Sequence, residues 1–565
     1  MVRPGRPLRD ARAARRGLSS YLVALALTVG VSGCTRTRAP TPRGVLVVSK
    51  EQEATWIRNF NPLSPAVSAR WPTNSGIYEP LMVHDAIAGR YVPWLAERWE
   101  ISEDALTFTM HLRPGVHWSD GQLFSAADVA FTFELLKRFP ALDRRAIWTF
   151  LRSVRATDAL TCEFQFDHPY LPGIDDLAAQ RPVPAHVWSS VADPVTWPNE
   201  HPVATGPFTE VRTFTPQVYE IGRNPHYWQP GKPKLDALRM PAYPSNDRAN
   251  LALAFDEVDW AGNFVPAIDR VYVARDPSHH HYWFPLTGST VFLYPNAAHA
   301  PFSDVRVRKA LSMAIDRERL VEVAVHGYTR PADATALSDA YTRYRDAKIA
   351  DAEWVHHLPD RAEALLDEAG LHRGSDGARR RADGSPLELE ILVVSGWSDW
   401  VRAAQVIARG LGAVGIRAQV RTYDFGAWYE RLQTGAFDLS LGWSNEGPTP
   451  YAFYRWLMSP STVTPLGAMA PGNWHRYGSA AAEPLLTAFE RAREPVEQER
   501  LIRELSAVFS AEAPAIPLYP NPSWAEFNTR RVDGFPDAAH PYADPSPNKE
   551  DRGETLRVLT ELVPR

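Results

Sequence analysis

The sequence predicts an α/β protein with a hinged lobe, on three observations. Residues 387–394 place Leu387, Leu389, Ile391 and Val393 on one face, the period-two pattern of a strand. Residues 398–412 then repeat at helical spacing, and residues 416–423 alternate again, with Ile416, Ala418 and Val420 opposite Arg417, Gln419 and Arg421. Such a β-α-β unit makes the two strands parallel with a right-handed crossover. Finally, Phe292-Leu293-Tyr294-Pro295-Asn296 echoes Pro517-Leu518-Tyr519-Pro520-Asn521 on either side of this unit. A lobe inserted into another domain is entered and left by two crossings, and these segments are read as the crossings and the hinge.

Further elements follow from caps and breakers. Ser303 or Asp304 caps a helix through Arg308, Leu311, Ala314 and Ile315. Residues 360–369 form a helix stopped at Gly370, where glycine suits the left-handed C-terminal position. Ser398 is the expected cap of the 398–412 helix, which carries Val401, Ala404, Gln405 and Ala408. A short helix at 427–433 and a third strand at 437–443 complete the unit. Residues 483–511 are mostly helical, with Pro484 and Pro495 limiting where segments start.

Composition narrows the function. The 565 residues suffice for three or four domains, at roughly 150 residues each. With 45% apolar and 22% charged residues the chain falls in the soluble globular range, against bulk disorder or a polytopic membrane protein. Beyond residue 33 it carries 55 basic and 65 acidic residues, a poor footprint for nucleic acid. Its two cysteines, Cys34 and Cys162, exclude a disulfide framework or a cysteine zinc site unless those two pair. Cys162, in the strand-like 161–166, is expected to be a buried free thiol. Trp occurs 19 times and Pro 49 times. The first count implies large apolar faces with one polar tip, suited to cores and to ligand clefts; the second implies many fixed turns.

The N-terminus reads as an address. Arg3, Arg6, Arg9, Arg12, Arg15 and Arg16 precede an apolar run at 21–31, which is too short to span a membrane but fits a signal-peptide core. Its end, Val31-Ser32-Gly33-Cys34, resembles a bacterial lipobox, in which Cys34 is lipidated and becomes the first residue. The alternative is an ordinary secretory signal with an incidental cysteine. Arg15-Arg16 leaves open whether export is Sec or twin-arginine. Residues 34–43 form a polar tether, so the folded body is expected outside the cytoplasmic membrane, lipid-anchored in the periplasm or at the cell surface.

Six segments in order resemble the bacterial extracellular solute-binding proteins of family 5, the oligopeptide- and dipeptide-binding group serving ABC importers. They are Tyr78-Glu79-Pro80-Leu81; residues 95–100; HLRPGVHWSDG at 111–121 with the FSAADV that follows; HPVATGPF at 201–208, where Ala204 stands for a usual glycine; Asn224-Pro225-His226-Tyr227-Trp228; and FSDVRVRKAL at 302–311. The resemblance covers about residues 44–540. It implies a periplasmic-binding-protein-like two-lobed clamshell of class II type, with an extra inserted α/β domain. Lobe 1 would be 44–73, 206–290 and 515–565, the inserted domain 74–205 and lobe 2 291–514, after a signal peptide at 1–33. It also implies a monomeric, non-enzymatic binding protein whose partners are a ligand, an ABC permease and its ATPase subunits.

Stretches at 257–266, 447–451, 532–536 and 541–542 are more similar to members that bind β-linked oligosaccharides. Peptide binders of the family commonly place an aspartate after the aromatic strand end to hold the ligand ammonium. Here that stretch is Trp443-Ser444-Asn445-Glu446. Asn445 is neutral, while Glu446 could substitute, so sugar and peptide both stay open.

Sugars present apolar ring faces rimmed by hydroxyls, which suit indole platforms and amides that both donate and accept. Candidate ligand-binding residues are therefore Trp56, Asn59, Trp260, Asn263, Trp397, Trp400, Trp443, Asn445 and Glu446, each indole having a core role as its alternative. Trp99, Trp118 and Trp228 lie in scaffold motifs. His279-His280-His281 would alternate faces on a strand and cannot converge on one ion, so an exposed loop is expected. Asp175-Asp176 gives no support for a glycosidase pair. No nucleophile elbow, zincin, P-loop or dinucleotide fingerprint occurs, and no cofactor or metal is expected. A secreted glycoside hydrolase and a surface sensor without transport are the remaining rivals.

Overall fold

The computed structural model describes residues 42–565 apart from 51, 67–69, 75 and 550. The signal segment and the lipidation expected at Cys34 lie outside the described residues. No helix among the described residues is long and apolar enough to cross a membrane.

Three sheets of four or more strands organise the described residues. A seven-stranded sheet runs in the order His280–Tyr282, Glu526–Asn528, Trp260–Ala261, Val45–Ser49, Ala237–Pro241, Val218–Arg223, Phe208–Thr215. A five-stranded sheet runs Arg417–Tyr423, Glu388–Val394, Leu439–Trp443, Thr290–Pro295, Ile516–Pro520. A four-stranded antiparallel sheet joins Ala96–Ile101, Thr107–Leu112, Thr161–Phe166 and Leu151–Ala156. Cys162 lies inside that last sheet as a free, fully buried thiol, pushed up to about 12 by burial.

The expected β-α-β unit is present. Glu388–Val394 pairs in parallel with Arg417–Tyr423 over seven residues, and helix Ser398–Ala413 connects them. Ser398 does not cap this helix. Trp397 holds the N-cap position, and the Ser398 hydroxyl has no partner among the described residues. Asp304 caps Val305–Met313 by accepting from the Arg306 N–H, and Pro495 opens helix Pro495–Glu512 at its first turn.

The echoed segments are not the crossings themselves. Both are strands of the five-stranded sheet, paired antiparallel with Leu293 opposite Ile516. Their Pro-punctuated apolar residues are buried on both faces, and this is why they read alike. The passage between the sheets lies just outside them, where Asn521 N–H donates to Ser289 O (3.0 Å), Ser523 N–H to Pro285 O (2.9 Å) and Trp283 N–H to Ala525 O (3.0 Å). The two chain crossings thus run side by side as one hydrogen-bonded ribbon.

Gly410 lets helix Ser398–Ala413 approach the helix pair beneath it. A Cβ there would lie 2.2 Å from the Ala314 carbonyl oxygen, whereas one at Gly412 would meet nothing within 4 Å. Alanine gains up to ~1 kcal/mol of helix propensity at either site, but overpacking against backbone costs ~1–3 kcal/mol. Gly410→Ala is therefore expected to lower the melting temperature and Gly412→Ala to hold or raise it, in parallel thermal melts.

Candidate functional site

In open α/β sheets, ligands lie beyond the carboxyl ends of the parallel strands. Val45–Ser49 runs parallel to both Ala237–Pro241 and Trp260–Ala261, so these three strands end on one edge. In the five-stranded sheet, Glu388–Val394 runs parallel to Arg417–Tyr423 and Leu439–Trp443, which end together at Val394, Tyr423 and Trp443. Contacts tie the two edges together. Asn246 N–H donates to Gly396 O (3.0 Å) and its amide reaches Asp399 Oδ1 (3.4 Å). Trp71 packs on Phe425 with ring centroids 5.0 Å apart, and Lys549 Nζ lies 2.6 Å from Glu446 Oε2.

Charge is unusually confined at this junction. Burial pushes Asp399 up to about 6, against hydrogen bonds from its own helix start and from Asn246. Glu53 is pushed up to about 7, by burial and then by the neighbouring Asp424.

An aromatic bank lines the second edge. Trp397, at the end of its strand, stands 4.8 Å edge-on from Trp400 and 6.2 Å from Trp443. Trp443 lies nearly parallel to Tyr429 (6.1 Å, 10°) and to Phe425 (6.4 Å, 4°). Trp428 and Trp474 are buried behind it and hold it in place. Trp397, Tyr429 and Trp443 stay partly exposed, whereas Trp400 is buried on its helix.

The candidate residues from the first lobe divide differently. Trp56 is buried, donates its indole N–H to Met240 O (3.0 Å) and packs edge-on against Tyr219. Trp260 is 1% exposed and donates to Pro545 O (2.8 Å). Both indoles serve core packing, with their polar tips satisfied by backbone, so as platforms they are corrections to the sequence reading. Asn59 folds back on its own loop, accepting from Asn61 N–H (2.9 Å). Asn263 is buried beside the strand edge; its amide N–H donates to Asn250, and its Oδ1 has no partner among the described residues.

In the second lobe, Asn445 is partly exposed and its Oδ1 accepts from Glu446 N–H (2.8 Å). Glu446 is paired with Lys549, and its carbonyl receives the Arg552 guanidinium (2.6 Å). Sequence reasoning missed Lys549, Arg552, Asn548 and Glu526. Asn548 donates to Gly262 O (2.8 Å), and its Oδ1 has no partner among the described residues. Glu526 is fully buried, accepts at one oxygen from Asn263 N–H (3.4 Å) and leaves Oε1 without a partner among the described residues. Burial holds its carboxyl well above the usual range. The available signal was a lone acid inside the apolar run 524–527.

The histidine triplet and the Asp175-Asp176 pair have structural partners. His280 is 2% exposed, stacks on Tyr272 (4.2 Å) and bonds Asp256 (2.7 Å), while His279 bonds Asp276 (2.9 Å). The triplet is therefore largely an edge strand with a buried centre rather than an exposed loop. Asp175 pairs with Arg552 (2.8 Å) and Asp176 with Arg145 (3.4 Å).

Comparisons with known proteins agree with this architecture. Residues 90–465 match the family described as bacterial extracellular solute-binding proteins, family 5 Middle. Di/tripeptide-binding protein 2 of Pseudomonas aeruginosa is 24% identical over 489 residues, covering 81% of this chain and 86% of that protein. The glutathione-binding protein GsiB of Pectobacterium atrosepticum is 26% identical over 471 residues, covering 80% and 84%. The mannohexaose-bound periplasmic oligopeptide-binding protein of an oligopeptide ABC transporter from Thermotoga maritima superposes with a TM-score of 0.85 at 25% identity, over 93% of this chain and 99% of the other. The chain accordingly belongs to the bacterial extracellular solute-binding proteins of family 5, extracytoplasmic binding proteins of ABC importers and not enzymes.

Proposed function

We propose that this protein captures a short β-linked oligosaccharide, of cello-, xylo- or manno-type, between the two strand edges and delivers it to its permease. The observation that carries this reading is the partly exposed bank of Trp397, Tyr429 and Trp443. Flat indole and phenol faces fit sugar rings, and nearby amides serve the hydroxyls. Asn263 Oδ1 and Asn548 Oδ1, buried and without a partner among the described residues, would serve as acceptors. The structural neighbour bound to mannohexaose supports the same ligand class. Closure of the two edges would bury the ligand and present one shape to the permease. We read residues 44–73, 206–290 and 515–565 as lobe 1, 74–205 as the inserted domain and 291–514 as lobe 2, in a monomer anchored through a lipid on Cys34.

A di- or oligopeptide ligand is the second reading, favoured by the names of the relatives. A thermal-shift screen separates the two. Ligand at about 100 times its Kd adds ~2.7 kcal/mol, so cello-, xylo- or manno-oligosaccharides are expected to raise the melting temperature and dipeptides to leave it unchanged. Trp443→Ala should weaken sugar binding about tenfold, the ~1–1.5 kcal/mol of one aromatic contact. Shifts with peptides alone would exclude the sugar reading.

A further inference from the structure

Glu446 is the one acid in the loop that follows Trp443, and its side chain is only 28% exposed. A ligand bearing an ammonium and lying on the aromatic bank would find this carboxylate three residues from the stacking face. The chain has already supplied the cation. Lys549 Nζ stands 2.6 Å from Glu446 Oε2, with its own side chain 18% exposed.

Lys549 is held there from both sides. Its neighbour Asn548 donates to Gly262 O (2.8 Å). Arg552, three residues on, binds Asp175 through two nitrogens (2.8 and 3.2 Å) and caps the Glu446 carbonyl (2.6 Å). Gly288 faces Glu446 from the crossing ribbon; a Cβ there would touch Glu446 Cγ at 3.4 Å. Burial alone pulls the ammonium down, but Glu446, Asp544 and Glu554 outweigh it and keep Lys549 charged.

We propose that Lys549 is a built-in counter-ion that occupies the ammonium position at Glu446 and makes the cleft select against ligands with a free amino group. The inference rests on the reading that the ligand lies between the two strand edges. Its physical basis is that a second ammonium brought to Glu446 meets like charge in a partly desolvated site, and an unpaired charge or a like-charge contact is an effective way to refuse a competitor. An uncharged ligand displaces nothing and leaves the pair intact.

The test measures calorimetric binding of Ala-Ala-Ala, its N-acetylated form and mannohexaose to the mature wild-type chain, Lys549→Met, Lys549→Gln and the Glu446→Gln/Lys549→Met double variant. Lys549→Gln keeps a donor on the Glu446 carboxylate, so that a folded protein is in hand if the methionine variant misfolds. Wild type should bind the acetylated peptide at least tenfold more tightly than the free one. Either single variant should gain at least a tenfold preference for the free peptide, and the double variant should lose it. A wild type that binds the free peptide as tightly as the acetylated one, or more tightly, would overturn the proposal. So would a folded single variant that shows no preference. Mannohexaose binding to wild type decides the sugar reading separately: its absence alongside the gained preference would sink the ligand class and leave the role of Lys549 standing.

Discussion

Replacing Glu79 with alanine is expected to lower stability by about 3 kcal/mol or more, read as a shift in the denaturant midpoint. Glu79 is 1% exposed and accepts from Trp94 Nε1 (2.7 Å), Tyr227 OH (3.1 Å) and Trp228 Nε1 (3.1 Å). Alanine would leave one buried and two partly buried donors without this acceptor, each costing up to ~1–3 kcal/mol. Glutamine keeps a carbonyl for them and should cost far less.

The same carboxyl gives a pH signature. Burial pushes Glu79 up to about 7, against hydrogen bonds from Thr205, Trp94, Trp228 and Tyr227 that pull it down. Folded, it holds a proton that the unfolded chain releases near 4.5. Its contribution is therefore intact below about pH 4.5 and is lost as the pH rises to about 7, roughly 3 kcal/mol in all. Between pH 5 and 8 wild type should lose more stability than Glu79→Gln, by an amount of that order. Equal slopes for the two proteins would show that Glu79 does not titrate in this range.

Arg308→Met should be comparably severe, at about 3–5 kcal/mol. The Arg308 side chain is 1% exposed and donates to four backbone carbonyls: Ala513 (2.8 Å), Phe302 (2.8 Å), Ser303 (3.0 Å) and Glu512 (2.6 Å). It thereby closes the end of helix Pro495–Glu512 onto the start of Val305–Met313. Methionine fills the space but leaves the carbonyls bare. Lysine carries three donors from one point rather than a planar fork, so Arg308→Lys should recover only part of the loss. Equilibrium denaturation of the three proteins side by side checks the order wild type, lysine, methionine.

Both residues belong to motifs visible in the sequence, and the structure explains why the motifs occur together. Glu79 of the YEPL stretch is the acceptor for Tyr227 and Trp228 of the NPHYW stretch. Ser125 and Asp128 of FSAADV form the capping box of helix Ala126–Arg138. The β-α-β unit, the Asp304 cap and the break at Pro495 were equally legible. Each depends on side-chain alternation or on hydrogen bonds spanning a few residues, and such features are written in neighbouring positions.

The site was legible only in outline. Trp397, Trp443 and Asn445 were recognisable as strand-end residues, but an indole suits a core as well as it suits a sugar face. Whether Trp56 and Trp260 lie in the core depends on Met240 and Pro545, 184 and 285 residues away. Glu446 reads as a free acid until Lys549, 103 residues later, is seen against it. Local chemistry thus determined the elements, the α/β class and the family of this chain. Which indoles stay exposed at the strand edge, and which charges there remain unpaired, was decided by the tertiary structure, because burial and pairing depend on segments that only folding brings into contact.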